Sequence, residues 1–467
     1  MKKNLLDGKS MKNLDYFFKA RSVAVIGAST KPGKIGHEIL RSLVKGEYKG
    51  DIYPVNPRAD EILGLKCYKS VLEIPGKVDL AVLSIPPRIV PEVVEECGKK
   101  GIKAVVIVSG GFKEVGQEGA EMERAIAQIA RRYGMRVIGP NCIGIFDGKT
   151  RLDTFFQSRE RMLRPPKGGI AFLTQSGTFG CAFLEWAAED GVGISKFVSY
   201  GNRADVDEAD LVRYLGQDPE TKVIAIYAES ISNGRKFMKA CREVSRKKPI
   251  VVLKSGRTEE GSKAAVSHTG SIAGSYEIIS SAFKQCGVIE VKTFEELYDV
   301  SKALSMLPLA AGPRIAMVTN GAGPCVMATD EIIKRGLKLA EYSERTKREL
   351  RRRLPPYAIV RNPVDLTGSA TAKDYEVSMR SLLEDMCVDI LIVFFVFQDT
   401  PLEEEIVDIV PRMKEYGKPI LAVASGGSYT KKQSSRLQKK GIPVFSSPER
   451  AVLAAHALYL AAKYYCR

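Results

Sequence analysis

The chain has few histidines and no apolar run long enough to cross a membrane. Only three of its 467 residues are histidine, and no apolar run reaches the ~18 residues of a transmembrane helix. Residues 1–7 are basic, without a continuous apolar segment or a small-residue cleavage site, so we do not expect a signal peptide. These absences predict a cytoplasmic protein that does not bind membranes.

The cysteines follow no metal-binding pattern. Nine cysteines are scattered along the chain, with no C-x-x-C motif and no Cys/His cluster. Several fall inside predicted strands or helices: Cys97, Cys181, Cys241 and Cys325. This distribution is typical of reduced, mostly buried thiols and argues against structural zinc. We therefore expect no metal site on this chain.

The charge is strongly positive but dispersed. The formal net charge is +16, which in a clustered arrangement would indicate nucleic-acid binding. Here lysine and arginine alternate with acidic residues along predicted helices, as around residues 131–132 and 351–353. We interpret the charge as a solvated surface without nucleic-acid binding. Part of the excess can attract a polyanionic substrate or an acidic partner subunit.

Short apolar strands alternate with segments of helical periodicity along the whole chain. At ~150 residues per domain, the length predicts about three domains, and we place them at 1–147, 148–308 and 309–467. Continuous apolar strands separated by helices indicate parallel sheets covered on both faces. The predicted strands are 23–26, 51–55, 80–83, 104–108, 135–138, 170–173, 194–198, 223–227, 250–253, 314–318, 389–396 and 420–424.

A glycine-rich loop closes the first predicted strand and opens a helix over 35–46. Glycines allow a phosphate to approach the backbone, and the helix N-terminus offers N–H groups and a positive dipole end. The loop does not have the G-x-G-x-x-G spacing, and Asn56-Pro57 stands where a nicotinamide dinucleotide site needs an acid. A ligand carrying phosphates is therefore favoured over NAD, with ordinary tight turns as the alternative. The candidate binding residues at the five strand ends are Gly27, Ser29, Lys31, Gly33, Gly36, Asn56, Pro57, Ser84, Ile85, Pro86, Ser109, Gly110 and Asn141.

Two further helix starts are rich in small residues. Thr174-Gln175-Ser176-Gly177-Thr178 follows a strand of the second array, and Thr319-Asn320-Gly321-Ala322-Gly323 follows one of the third. Both suit a phosphoryl group, although a plain turn is the alternative. Ser176 is predicted to donate a hydrogen bond to phosphate, since Thr174 breaks the pattern of a nucleophilic serine elbow. The candidate phosphate-binding residues are Gln175, Ser176, Gly177, Thr178, Gly321, Ala322 and Gly323.

One histidine lies in an unusually unhindered stretch. His268 is surrounded by small and hydroxylic residues over 267–274, where an imidazole could attack phosphorus. Glu229 ends a buried strand and could orient and stabilise that imidazole. The alternatives are a polar surface loop in which His268 is incidental, and a surface or helix-capping role for Glu229.

Taken in this order, the motifs resemble the NDP-forming acyl-CoA synthetases, relatives of succinyl-CoA synthetase, and most of all the alpha subunits of ADP-forming acetate–CoA ligases. The resemblance covers nearly the whole chain. It implies a Rossmann-like domain that binds coenzyme A as substrate, followed by two flavodoxin-like ligase domains. It also implies that His268 becomes phosphorylated, that Glu229 holds it, and that helix starts 176–178 and 321–323 cradle the phosphohistidine at two stations.

The longest members of that family also contain an ATP-grasp module, and no stretch of this sequence resembles one. We therefore expect ADP or ATP and Mg²⁺ on a separate ATP-grasp beta subunit, in an alpha2beta2 heterotetramer. The resemblance makes acetyl the first choice of acyl group. Propionyl, branched-chain and aryl groups stay open, with Asn141 and Phe179 as candidates for the acyl pocket.

Two other functions remain open at the level of sequence. One is a nicotinamide-dependent oxidoreductase built on the first domain, which the loop spacing and the missing acid argue against. The other is a non-catalytic, CoA-binding regulatory or scaffold protein, in which His268 would be dispensable while CoA binding persisted.

Overall fold

A computed structural model describes residues 13–261, 263 and 275–465. His268 and its neighbours over 264–274 lie outside the described residues. Contacts between Cα atoms divide the chain into two compact units. The first unit is Met1–Glu189 with Gly193–Glu290, and the second is Asp190–Val192 with Val291–Arg467. The predicted boundaries at 147/148 and 308/309 stay predictions.

The first sheet has five parallel strands in the order β2-β1-β5-β6-β7. Every residue of the inner strand β1 is buried, because helices cover both faces of such a sheet. The strands in this region are β1 (Ser22–Ile26), β2 (Asp51–Val55), β3 (Glu61–Ile62), β4 (Leu65–Lys66), β5 (Leu80–Leu83), β6 (Ala104–Ile107) and β7 (Arg136–Ile138). The helices are Asp15–Phe18, Ile35–Val44, Val90–Lys100 and Gln117–Tyr133, with 3-10 turns at Val71–Glu73, Pro87–Ile89 and Lys113–Val115.

The connection from β2 to β5 differs from the prediction. We expected a helix between each pair of strands, but β3 and β4 form a small antiparallel hairpin here, followed by the 3-10 turn Val71–Glu73. The prediction was wrong because strands of two residues are too short to show a period.

The second sheet has six strands in the order β13-β12-β11-β9-β10-β8. They are β8 (Ile145–Asp147), β9 (Lys167–Thr174), β10 (Ile194–Ser199), β11 (Val223–Ala228), β12 (Ile250–Lys254) and β13 (Val288–Val291). The helices of this region are Gly177–Asp190, Glu208–Gln217, Gly234–Val244 and Tyr276–Gln285. Strand β8 falls within the predicted first domain, yet it pairs antiparallel with β10 at the edge of this second sheet.

The third sheet, in the second unit, is again mostly parallel. Its main order is β16-β17-β14-β18-β19-β20, with β15 also paired to β14. The strands are β14 (Arg314–Thr319), β15 (Lys338–Leu339), β16 (Ile359–Val360), β17 (Val364–Asp365), β18 (Ile390–Phe395), β19 (Ile420–Ala424) and β20 (Val444–Phe445). The helices are Phe294–Met306, Gly323–Lys334, Glu344–Arg353, Ala372–Glu384, Ile406–Arg412, Ser428–Lys439 and Pro448–Tyr465, with a 3-10 turn at Met413–Tyr416.

The predicted fold class is confirmed: the chain is α/β, with three largely parallel sheets. Two edge pairings, β8 with β10 and β16 with β17, are antiparallel, so the second and third sheets are mixed rather than purely parallel. Within the described ranges, no helix is both long and apolar enough to cross a membrane.

Candidate functional site

The carboxyl edge of the first sheet carries the predicted glycine loop. Gly27 has φ +87°, and a Cβ placed there would lie 2.3 Å from the carbonyl oxygen of Ser84. A Cβ on Gly36 would lie 1.9 Å from the carbonyl oxygen of Gly27. Both positions therefore require glycine, which lets the helix Ile35–Val44 begin directly against the end of β1.

Two of the polar side chains predicted to bind a ligand at this edge, Asn56 and Ser109, hold its loops in place. Asn56 donates from Nδ2 to the carbonyl oxygen of Ala28 at 2.7 Å. The Ser109 hydroxyl donates to the carbonyl oxygen of Ile85 at 2.6 Å and accepts from the Ile85 N–H at 3.1 Å. The exposed part of the loop, residues 30–35, includes Lys31 and Gly33. Asn56 and Ser109 therefore fix the loops, and the exposed backbone and Lys31 face solvent.

Asn141 lies beside a polar cluster in which Asn202, from the second sheet region, meets Glu114 and Glu123 of the first. Its backbone adopts φ +58°, its N–H donates to the carbonyl oxygen of Ser109 at 2.8 Å, and its side chain reaches Asn202 Oδ1 at 3.5 Å. Asn202 in turn donates to Glu114 and Glu123. This cluster was not predicted from the sequence, because its members are far apart along the chain.

The cluster controls the charge of Glu114. Burial is the largest influence and would raise the pKa of this carboxyl, but hydrogen bonds from the Asn202 side chain and the Gly111 N–H lower the pKa below its usual value. A carboxylate held ionised in this way is a fixed negative charge beside Gly110 and Asn141, two of the predicted CoA-binding residues.

The turn after β9 has a compact hydrogen-bonded geometry. The Thr174 hydroxyl donates to the carbonyl oxygen of Ser176 at 2.8 Å and accepts from the Ser176 N–H at 3.0 Å. The helix Gly177–Asp190 begins immediately afterwards, and Thr178 is exposed at its start. The unpaired N–H groups of such a helix start are suited to binding phosphate oxygens.

Gln175 connects this turn to Glu229. Its Oε1 accepts from the N–H groups of Glu229 at 2.6 Å and Ser230 at 2.9 Å. Gln175 and Glu229 are 8% and 7% exposed. The structure therefore brings the predicted phosphate-binding turn and the predicted histidine-holding carboxylate together, and the Gln175 side chain is the link between them.

Arg203, absent from the sequence prediction, supports the same loop. It follows β10, has φ +63°, and donates to the carbonyl oxygen and the hydroxyl of Ser230, both at 2.8 Å. Glu208 accepts from the Ser232 N–H at 2.8 Å. The only sequence signal was another glycine-containing strand end, Tyr200-Gly201-Asn202-Arg203.

Lys254, also missed, is the last residue of β12. Its side chain is buried, and Nζ donates to the carbonyl oxygen of Glu229 at 2.8 Å and to that of Ser255. Burial lowers the pKa of Lys254, and the nearby Glu229 opposes that effect. A lysine ending an otherwise apolar strand, Ile-Val-Val-Leu-Lys, is the signal that would have found it.

The second predicted phosphate-binding turn, after β14, repeats the geometry of the first. The Thr319 hydroxyl donates to the carbonyl oxygen of Gly321 at 2.8 Å and accepts from the Gly321 N–H at 2.9 Å. Asn320 Oδ1 accepts from the Val396 N–H at 2.8 Å. The helix Gly323–Lys334 begins here, with Ala322 and Gly323 exposed.

Family models match the three sheet regions in turn. A CoA-binding domain model matches residues 21–147, a succinyl-CoA ligase-like flavodoxin domain model 167–304, and a ligase-CoA domain model 315–466. The alpha subunit of acetate–CoA ligase [ADP-forming] II from Pyrococcus furiosus is 46% identical over 96% of this chain and 98% of its own length. The chain belongs to the NDP-forming acyl-CoA synthetases.

Other members of the family are longer or have solved structures. Acetate–CoA ligase [ADP-forming] I of Archaeoglobus fulgidus is 43% identical over 95% of this chain, which spans 63% of that protein. The structure of "dinucleotide forming" acetyl-coenzyme A synthetase 1 from Ca. Korarchaeum cryptofilum, with phosphate and ADP, superposes with a TM-score of 0.90 at 41% identity, covering 97% of each chain. The family assignment made from the motifs is thereby confirmed.

Within this synthetase, the described residues contain no group of three or more metal-ligating side chains.

Proposed function

We propose that this chain is the alpha subunit of an ADP-forming acyl-CoA synthetase. The reaction converts an acyl-CoA, ADP and phosphate into the carboxylic acid, CoA and ATP, and it is reversible. The observation that carries the proposal is the bridge made by Gln175. Its Oε1 accepts from the Glu229 N–H at 2.6 Å, and the helix Gly177–Asp190 begins two residues after Gln175. Glu229 and an anion-binding helix start are therefore fixed relative to each other.

In the first step, coenzyme A thioester is held by the first sheet region at residues 27–36 and the neighbouring strand ends. A phosphate oxygen attacks the thioester carbonyl, an acyl phosphate forms, and the C–S bond breaks to release CoA thiolate. The N–H groups at the start of Gly177–Asp190 stabilise the phosphate oxygens. They are already oriented by Thr174 and Ser176, so little reorganisation is needed.

In the second step, an imidazole nitrogen of His268 attacks the phosphorus of the acyl phosphate. The P–O bond to the acyl oxygen breaks, and the carboxylate leaves with that electron pair. Glu229 orients the ring and stabilises its positive charge, as a buried carboxylate does for an imidazolium. The thioester energy is thereby conserved in a phosphohistidine.

In the third step, the phosphoryl group passes to ADP. We propose that the nucleotide and Mg²⁺ bind to an ATP-grasp beta subunit, in an alpha2beta2 assembly. The relatives support this division, since this chain covers 98% of a named alpha subunit but 63% of a longer ligase. The helix start at Gly321, Ala322 and Gly323 is the second cradle for the phosphohistidine.

A cytoplasmic location is part of the proposal. All eight cysteines within the described ranges are unbridged, and six of them are buried. Unbridged thiols are typical of a reducing compartment.

Radiolabelled phosphate tests the proposal. With an acyl-CoA and ³²P-phosphate, the purified chain should gain an acid-labile, alkali-stable label. His268→Ala should abolish the label, and His456→Gln, in the second unit, should retain it as a matched control. A label that persists in His268→Ala would disprove the assigned nucleophile. CoA binding without any label would favour the regulatory alternative.

The partner is tested separately. The isolated chain should be labelled but form no ATP from acyl-CoA, ADP and phosphate, and addition of the beta subunit should restore ATP formation. ATP synthesis by the isolated chain would contradict the division of labour.

A further inference from the structure

A cavity of about 370 Å³ opens beside the end of β11. One end is polar and is formed by Glu229, Ser230 and Lys254. The walls come from the helices Gly234–Val244 and Tyr276–Gln285 and are mostly apolar. Neither Asn141 nor Phe179, the residues predicted to lie near the acyl pocket, lines this cavity.

The size of the cavity exceeds what an acetyl group needs. Beyond its carbonyl, acetyl has a single methyl, comparable in size to one water molecule of ~30 Å³. Pockets for organic ligands typically start near ~300 Å³. The walls include Ile231, Phe237, Met238 and Phe283, and Phe237 and Phe283 meet edge-to-face with ring centroids 6.1 Å apart. Such a wall favours a branched or aromatic group.

The polar end supplies a donor for a carbonyl or carboxylate oxygen. Two N–H groups of the Lys254 ammonium have acceptors among the described residues, the carbonyl oxygens of Glu229 and Ser255. An ammonium has three N–H groups, so the third can donate to an oxygen at the mouth of the apolar chamber. The same end carries Glu229, which the proposed function places at the reacting centre.

We propose that this cavity holds the acyl chain, with the carbonyl oxygen at Lys254, and that it selects branched-chain or aromatic acids over acetate. The inference rests on the proposed function for its chemistry, because the acyl carbonyl must lie near Glu229 during phosphate attack. The acyl chain of the substrate then extends between Ile231, Met238 and Phe283.

The first measurement is the specificity of the complete enzyme with its beta subunit. Each methylene buried in an apolar pocket strengthens binding about fourfold. The kcat/KM for 3-methylbutanoyl-CoA and phenylacetyl-CoA should therefore exceed that for acetyl-CoA by at least about tenfold. An equal or higher kcat/KM for acetyl-CoA would overturn the inference.

A cavity-filling variant localises the effect. Ala282 lines the cavity, whereas its neighbour Ser281 is exposed on the same helix and does not. Ala282→Phe should lower kcat/KM for phenylacetyl-CoA by at least about tenfold more than it lowers kcat/KM for acetyl-CoA. Ser281→Phe, the matched control, should alter neither. Equal effects on both substrates, or on both variants, would contradict the assignment.

Calorimetric binding to the full chain separates this inference from the proposed function. Phenylacetate should bind about tenfold more tightly than phenylacetamide, because the Lys254 ammonium pairs with the carboxylate. Ala282→Phe should abolish this binding and Ser281→Phe should not. If no acyl-CoA labels the chain but phenylacetate binds in this pattern, the proposed function fails and the pocket stands. If labelling succeeds, acetyl-CoA is preferred and phenylacetate does not bind, the assignment of the cavity is wrong and the proposed function is retained.

Discussion

The turns after β9 and β14 share the same hydrogen-bonding arrangement but lie in different surroundings. In each, a threonine hydroxyl bridges the N–H and carbonyl of the residue two positions later, at 2.8–3.0 Å. In each, the next side chain is an amide that accepts from the backbone at the end of a neighbouring strand. Gln175 accepts from Glu229 and Ser230, and Asn320 accepts from Val396.

The difference lies in what the amide holds. Gln175 accepts from the backbone N–H of Glu229, a buried residue whose backbone carbonyl oxygen accepts from Lys254. Asn320 instead holds Val396, donates to Asp399 at 2.9 Å and accepts from the hydroxyl of Tyr375 at 2.7 Å. A helix start alone can bind a phosphoryl group, but orienting an imidazole for attack also needs a carboxylate. Both turns have a carboxylate nearby, but Asp399 accepts from the Asn320 side chain and is half-buried, whereas Glu229 is buried close to the Lys254 ammonium. This difference supports the proposal that the first turn serves the chemistry and the second receives the phosphoryl group.

Glu229→Gln should produce the largest difference in labelling rate between variants of the first and the second turn. The amide cannot stabilise an imidazolium, so the rate of labelling by acyl-CoA and phosphate should fall by about 10²–10⁴-fold. Asp399→Asn, the matched change beside the second turn, should leave labelling essentially unchanged. Rapid-quench labelling measures both rates. Comparable losses in the two variants would show that the turns do not differ in this way.

Removing the amide side chain from either turn should destabilise the protein, but the two variants should be impaired in different steps of the reaction. Gln175→Ala removes the side-chain acceptor of two buried backbone N–H groups. Asn320→Ala removes the side-chain acceptor of the Val396 N–H, whereas the Tyr375 hydroxyl keeps the carbonyl oxygen of Phe394. Each loss should lower the free energy of unfolding by about 2–4 kcal/mol, measured by urea denaturation. Gln175→Ala should slow labelling, whereas Asn320→Ala should slow only ATP formation with the beta subunit. Slow labelling in Asn320→Ala would argue against two separate stations.

Exchanging the third residue of each turn should have a smaller effect on stability, and the loss should be larger in the second turn than in the first. A Cβ on Gly321 would lie 2.8 Å from Val396 Cγ2, so Gly321→Ser should destabilise the protein by about 2 kcal/mol. Ser176→Gly removes a hydroxyl that accepts from the Phe179 N–H at 3.4 Å, a weak cap that glycine replaces at a cost of a few tenths of a kcal/mol. Thermal unfolding of the two variants tests this order, and equal losses would contradict it.

Acid should slightly lower the free energy of unfolding through His456, which lies on a helix packed near the second turn. Burial, with smaller contributions from Arg335 and Lys463, lowers the pKa of His456 to about 4. The unfolded imidazole has a pKa of ~6.5. Between pH 6.5 and 4 the unfolded chain therefore binds more protons, and stability falls as pH falls through that window. His456 lies in Pro448–Tyr465, which packs on the helix Gly323–Lys334.

Because the imidazole is partly exposed, we expect a loss of about 1 kcal/mol between pH 7 and 4.5. His456→Phe should remove that part of the pH dependence in urea denaturation, and Tyr459→Phe on the same helix should retain it. An unchanged pH slope in His456→Phe would contradict the assignment.

Much of the fold was predictable because it depends on local apolar runs. Strand 420–424 was predicted with the bounds that the structure shows, and the helix predicted over 35–46 runs from Ile35 to Val44. Strand β8 and the hairpin of β3 and β4 were not, since segments of two or three residues carry no period. Pairing of β8 with β10 depends on residues about 50 positions away in the chain.

The site was predictable only in part. Both helix starts were recognised from their small and hydroxylic residues, and Glu229 from its place at a strand end. Gln175 was expected to bind phosphate, but its side-chain oxygen accepts from Glu229 and Ser230. Any role for Gln175 in binding phosphate stays a prediction, as does the role of His268, which lies outside the described residues.

The sequence by itself determined the α/β class, the order of the strands along the chain and the family, because these follow from the period of apolar residues and the spacing of small ones. Only the tertiary structure decided which polar groups meet. The link from Gln175 to Glu229 spans 54 positions and that from Lys254 to Glu229 spans 25. Such contacts arise when parallel strands place their carboxyl ends at one edge of a sheet, and no local pattern encodes them.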